Sequence, residues 1–150
     1  MSDILISRMS EIDVPELLAL EKECFDLPWT ENMFRCQIRL EGASSNLVYR
    51  EKGRIEGYVI AWFGYEEVHI LSIGVRPGKR GRGIADALLD RALAEGAGNG
   101  CGKAILEVRR GNLRAQSFYR RKGFRMIGVR RGYYTENGED ALVMEREIGG

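Results

Sequence analysis

A chain of 150 residues, 44% hydrophobic and 30% charged, has the size and composition of one globular domain, residues 1–150, with enough apolar material for a core. No stretch approaches the ~20 uninterrupted apolar residues of a membrane helix, and the N-terminus lacks a signal-peptide layout, so the expectation is a cytoplasmic protein with no membrane partner. Net charge is only +1, and three cysteines (Cys24, Cys36, Cys101) without metal-like spacing beside a single histidine argue for free thiols and no metal.

In chain order, residues 3–8 read as a short strand. Asp13 is the expected N-cap of a helix, with Pro15 in the first turn and Glu16 completing a capping box. Its apolar stripe is Val14, Leu17, Leu18 and Cys24. Asp26-Leu-Pro-Trp29 breaks that helix, and Thr30 caps a second over 31–41. Three β-rich runs follow, 46–51, 55–63 and 68–75, separated by segments short enough for antiparallel hairpins.

The third run stops at Pro77-Gly78, and residues 79–83 are all Gly, Lys or Arg. A helical stripe then begins: Ile84, Leu88 and Ala92 on one line, Ala85, Leu89 and Leu93 beside it, with an end expected near Ala94 before the glycines of 96–100. A basic, glycine-rich turn feeding a helix is a place to hold a pyrophosphate. The first-turn N–H groups lack partners, the dipole end is positive, and Gly81 and Gly83 let an anion reach the backbone. Residues 103–109 read as a strand, Asn112 caps a helix through Lys122, and Gly123-Phe124 fits a left-handed cap. Strands over 124–134 and 141–148, joined near Asn137-Gly138, complete the chain.

Charge is uneven. Residues 1–67 carry 13 acidic and 7 basic side chains, residues 68–150 carry 9 and 16, and 109–131 holds nine basic residues and no acid. This is either a solvated face or a field that draws in an anionic cofactor or an RNA-bound substrate. No aromatic-interleaved stacking motif accompanies it, so direct nucleic-acid recognition is not expected.

Neither a P-loop nor a dinucleotide fingerprint is present. What stands between strand and helix is Arg80-x-x-Gly83-x-Ala85, which resembles the acetyl-CoA signature of the GNAT N-acetyltransferases, Gln/Arg-x-x-Gly-x-Gly/Ala. Glu107-Val-Arg109, Asn112-x-x-Ala115-x-x-x-Tyr119 and Lys122-Gly-Phe124 match the second half of that family pattern in order and spacing. Phe25-Asp-Leu-Pro-Trp29, Ile105-Leu-Glu-Val-Arg109 and Arg130-Arg-Gly-Tyr-Tyr134 resemble the bacterial ribosomal-protein-alanine branch, over about residues 10–147. His69-x-x-Ser72-Ile73 and Arg82-Gly-Ile-Ala85 lean toward the archaeal Nα-acetyltransferases.

The resemblance implies an α/β (α+β) fold. It has a mixed, mostly antiparallel central sheet, helices on both faces, and a V-shaped splay between the strands at 68–75 and 103–109. It implies acetyl-CoA as co-substrate, with its arm along Ile73, Gly74 and Val75 and its pyrophosphate on Arg80, Gly81, Arg82, Gly83, Ile84 and Ala85. Asn112 and Tyr119 would also meet the cofactor. Leu27, Trp29, Tyr133 and Tyr134 would flank the acceptor, although Trp29 serves equally well as core. The implied acceptor is the α-amino group of a protein N-terminus, with a ribosomal protein as the acceptor the resemblance implies. The alternative acceptor is a lysine side chain or a small amine.

Glu107, a lone acid in an apolar strand, is the candidate base, or else an exposed or ion-paired side chain. Tyr119 is the candidate acid for the leaving thiolate, or else core packing beside Phe118. His69 is a relay or a satisfied structural histidine.

Overall fold

The β-rich runs become strands because they alternate or cluster apolar residues between tight turns. Residues 4–40 and 42–149 are described by the structure, a computed structural model. The expected strand start at residue 3 and helix end at residue 41 lie outside the described residues. The order is β1 Ile4–Arg8, α1 Val14–Cys24, α2 Glu31–Ile38, β2 Ser44–Glu51, β3 Arg54–Gly64, β4 Glu67–Val75, α3 Ile84–Gly98, β5 Lys103–Arg109, α4 Leu113–Arg121, β6 Arg125–Tyr134 and β7 Glu139–Glu147. Among the described residues, no helix is long and apolar enough to cross a membrane.

The strands form one sheet in the order β1-β2-β3-β4-β5-β7-β6. Every neighbouring pair is antiparallel except β4–β5. The parallel pairing begins at Glu67–Lys103 and stops at Ile70–Leu106. Beyond that point β4 and β5 run on unpaired to each other, which is the expected splay. One side of the β4 backbone is thereby left for a ligand.

Helices cover both faces. α3 packs Ile84, Leu88, Leu89, Ala92 and Leu93 on one face, over Val59, Val68, Leu106 and Met144. α1 and α2 pack Val14, Leu17, Leu20 and Phe34 on the other, over Val48, Tyr58 and Ile60.

A bulge in β4 decides which side chains share a face. Ile60 pairs with Ser72 but Ala61 pairs with Ile70, so Leu71 is the extra residue. His69, Ser72 and Gly74 face Trp62, Ile60 and Tyr58, which alternate along β3. The bulge therefore puts all three on the α1/α2 face.

Two helix boundaries, the start of α1 and the end of α3, depart from the sequence expectation through contacts with other elements. Asp13 has helical backbone angles and caps nothing; a 3-10 turn, Glu11–Asp13, precedes α1. Its carboxylate reaches back to the Ser10 N–H at 2.9 Å and also binds Arg50, so the reciprocal cap sits one turn earlier. Glu16 instead accepts the Ile55 N–H of β3 at 2.8 Å. α3 continues to Gly98, past its predicted end, because Gly96 lies where Val68 leaves no room for a Cβ. That glycine serves helix–sheet contact rather than termination. The Thr30 and Asn112 caps form as expected, accepting the N–H groups of Met33 at 3.2 Å and Ala115 at 3.1 Å.

One buried acid ties these layers together. Glu21 is 1% exposed; it accepts the Trp29 N–H at 3.0 Å and the Tyr58 hydroxyl. Burial pushes its carboxyl up to about 7, against about 4.3 in an unfolded chain. The native state therefore holds a proton that the unfolded state has lost, and stability from this group falls as pH rises from about 4.5 through 7. Glu21→Gln keeps an acceptor for Trp29 and removes the ionisation. Its stability relative to the parent should climb with pH across that window, by on the order of 3 kcal/mol, and level off above pH 8. Urea unfolding of both proteins at pH 5 and pH 8 checks this; a constant difference rules it out.

Candidate active site

Where β4 and β5 part, a cleft of about 730 Å³ opens between the end of β4, the basic turn, the start of α3 and α4. Ten predicted cofactor residues line it: Ile73, Gly74, Val75, Arg80, Gly81, Gly83, Ile84, Ala85, Asn112 and Tyr119. Arg82 does not; its side chain is exposed outside the cleft, so what it offers a phosphate there is its backbone N–H. Of the two turn arginines, Arg80 lines the cleft. Its Nε donates to the Val75 carbonyl at 3.2 Å, pinning the turn to the strand end.

Gly81 and Gly83 sit at φ +81° and +82°, where L side chains are strained, and a Cβ on either would meet nothing within 4 Å. The turn thus leaves open space directly before the unpartnered first-turn N–H groups of α3. Gly74 is glycine for a different reason. A Cβ there would lie 2.6 Å from the Tyr58 ring and hydroxyl.

Sequence reasoning missed other lining residues, among them Cys24, Phe25, Lys79 and Asp86, and a row on α4: Arg114, Ser117, Phe118 and Arg121. The row was detectable, because positions 114, 117, 118 and 121 share one helical face. Asp86 is neutralised by Arg121 at 3.0 Å and Lys122 at 3.3 Å, so the cleft mouth remains basic.

Tyr119 projects from α4 with its ring edge-on to Phe118 and Phe124, at 5.2 and 5.6 Å. Burial pushes its hydroxyl well above the usual phenol range, so it carries a proton at any physiological pH. Core packing and cleft lining coexist in this side chain.

Glu107 stands across the splay. Its neighbours Leu106 and Val108 enter the α3 core, so Glu107 points to the other face and does not line the cleft. There its Oε2 lies 2.7 Å from His69 Nε2, and its Oε1 lies 3.9 Å from Arg130 Nη2. The His69 hydrogen bond, aided by Arg130, outweighs burial and holds the carboxyl below its ordinary range. It is ionised at neutral pH and can accept a proton. The structure thus joins His69 to Glu107.

The residues expected to flank an acceptor divide. Tyr134 carries the Arg109 guanidinium 3.7 Å above its ring, and burial pushes its hydroxyl above the usual phenol range. Tyr133 and Leu27 are exposed. Trp29 packs against Phe34 at 5.4 Å in the α1/α2 core, the alternative the sequence left open. Among the described residues there is no group of three or more His, Cys, Asp or Glu able to hold a metal.

Residues 14–124 match the family described as acetyltransferase (GNAT) family. The chain is 31% identical to a putative ribosomal-protein-alanine N-acetyltransferase of Bacillus subtilis, over 88% of this chain and 87% of that one. It is 34% identical to the N-alpha-acetyltransferase RimI of Mycobacterium tuberculosis, over 97% and 94%. The crystal structure of the Escherichia coli ribosomal-protein-alanine N-acetyltransferase superposes with a TM-score of 0.88 at 28% identity, covering 98% of this chain and 95% of that one.

Proposed function

The chain belongs to the GNAT acetyltransferase family and is an N-acetyltransferase of the RimI type, and from this we propose that it moves acetyl from acetyl-CoA to the α-amino group of a protein N-terminus, a ribosomal protein among the candidates. One observation carries the reading. A basic, glycine-lined cleft and an ionised, histidine-bound carboxylate meet from opposite faces of the sheet at the unpaired β4–β5 splay.

The cleft fits CoA. The N–H groups of residues 81–85 would hold the pyrophosphate, with Lys79, Arg114 and Arg121 supplying positive charge. The free edge of β4 at Ile73 to Val75 would pair with the pantetheine amides. Acetyl-CoA supplies an activated acyl group, a thioester open to attack by an amine. Glu107 takes the proton that the acceptor amine must lose, directly or through a water. Tyr119 gives its proton to the departing sulfur. His69 fixes the Glu107 carboxylate and keeps it ionised. An α-amino group, with a pKa of roughly 8 against about 10.4 for lysine, needs only a modest base.

Intact-mass spectrometry of peptides beginning with Ala, Ser, Met or Thr, each with an internal lysine, tests this in the presence of acetyl-CoA. One acetyl group should be added, on the α-amine, with the lysine largely untouched. Preferential lysine modification favours the alternative acceptor and overturns the proposal.

A further inference from the structure

Arg130 has no part in that mechanism, yet after His69 it is the second side chain against the Glu107 carboxylate. Gly128 pairs with Val143 and Arg130 with Ala141 on β7, while Glu107 and Arg109 pair with the same two residues from the other side. Arg130 therefore shares a face with Glu107, one step along. Gly128 has nothing within 4 Å of where its Cβ would be, and Ala141 is small, so the long side chain can lean across to reach Glu107 Oε1 at 3.9 Å.

The other charged groups around this carboxylate are already partnered. His69 of β4 occupies Oε2. Arg109 is bound by Glu136 and Glu139. Glu145 of β7 is held by Lys103 and Arg125. Tyr134 of β6 has its hydroxyl pushed up by burial and is neutral. Among the described residues Oε1 accepts no side-chain hydrogen bond, and on the reading above the acceptor amine meets it there, beside Arg130.

We propose that Arg130 is a specificity-determining residue: its guanidinium offsets the Glu107 charge at the amine seat, so that the seat accepts neutral amines and not ammonium ions. This rests on the α-amine acetylation proposed above. A carboxylate alone draws in and holds an ammonium, and does so for a lysine as well as for an N-terminus. With a guanidinium against the same oxygen, the ammonium loses that attraction and the neutral amine loses nothing. Selection then follows the neutral fraction. At pH 7 about one α-amine in ten is neutral, against roughly one lysine in 2,500, an advantage of roughly 200-fold.

The side chain of Arg130 is 58% exposed, so substitutions there leave the fold intact. The test compares the parent, Arg130→Met and Arg130→Lys on two peptides at pH 7. One is a lysine-free peptide beginning with Ala; the other is Nα-blocked with a single lysine. The ratio of their kcat/KM values should fall about fivefold or more in Arg130→Met and return toward the parent value in Arg130→Lys. The acid limb of the kcat–pH profile, which reports the bound complex, should move to higher pH in Arg130→Met alone. The CoA-induced thermal shift should be the same in all three. An unchanged ratio, or equal losses on both peptides, overturns the role of Arg130 while the α-amine reading stands. A parent that prefers the lysine peptide overturns that reading itself.

Discussion

Replacing Tyr119 with Phe should lower kcat by roughly 10²–10⁴-fold, the usual worth of a general acid. The variant loses one hydroxyl and keeps the ring that packs on Phe118 and Phe124, so thermal stability should hardly change. CoA affinity should stay within a few fold, because the hydroxyl acts on charge that develops on sulfur during the reaction. Burial raises the hydroxyl above the usual phenol range, which keeps the proton on oxygen before the reaction and makes its full transfer to sulfur uphill, so part of its effect is a hydrogen bond to the charge that develops on sulfur. Glu107→Gln in parallel separates the two proton transfers. Its loss should be partly rescued by raising the pH, since more acceptor becomes neutral without help, whereas Tyr119→Phe should gain nothing comparable. Near-parent rates for both variants at pH 7 would sink the assignment and leave an enzyme that works by positioning.

The cofactor side was legible in the sequence because it is local. A strand, a Gly/Lys/Arg turn and a helical stripe follow one another within 68–93, and backbone groups from consecutive residues would build the proposed phosphate seat. Only the Arg82 side chain lies outside the cleft, since the motif gives residue types in order but not which of two arginines lines it. The acceptor side is assembled from β4, β5 and β6, and its geometry depends on register. Sequence singled out His69 and Glu107 separately; the parallel register of His69 with Ile105 puts them on one face. A one-residue slip would have parted them.

The cation on Tyr134, the arginine on Glu107 and the buried acid at Glu21 are likewise long-range contacts. Each joins residues too far apart in the chain for any periodicity to reveal. Local propensity also misassigned Asp13 and Gly96, one drawn away by Ser10 and Arg50, the other held in the helix by its contact with Val68.

Gly83→Val should abolish CoA binding, with affinity falling by about 100-fold or more and the CoA-induced thermal shift lost. Two effects act at this position and need separating. The first is backbone strain: at φ +82° a β-branched residue costs about 1–2 kcal/mol or more and loosens the N-terminus of α3. The second is occupancy: the added side chain fills the open space before the first-turn N–H groups, where a pyrophosphate would have to approach. Gly100→Val is the matched control. Gly100 lies beyond the other end of α3, at φ +88° with nothing within 4 Å of a Cβ, so it takes the same strain without touching the turn. Both variants should lose similar stability in urea. Only Gly83→Val should lose CoA binding in calorimetry. Equal, parent-like CoA affinity in the two would mean that the glycine turn is not the phosphate seat, and the cleft would then need another anchor in Arg114 and Arg121 of α4.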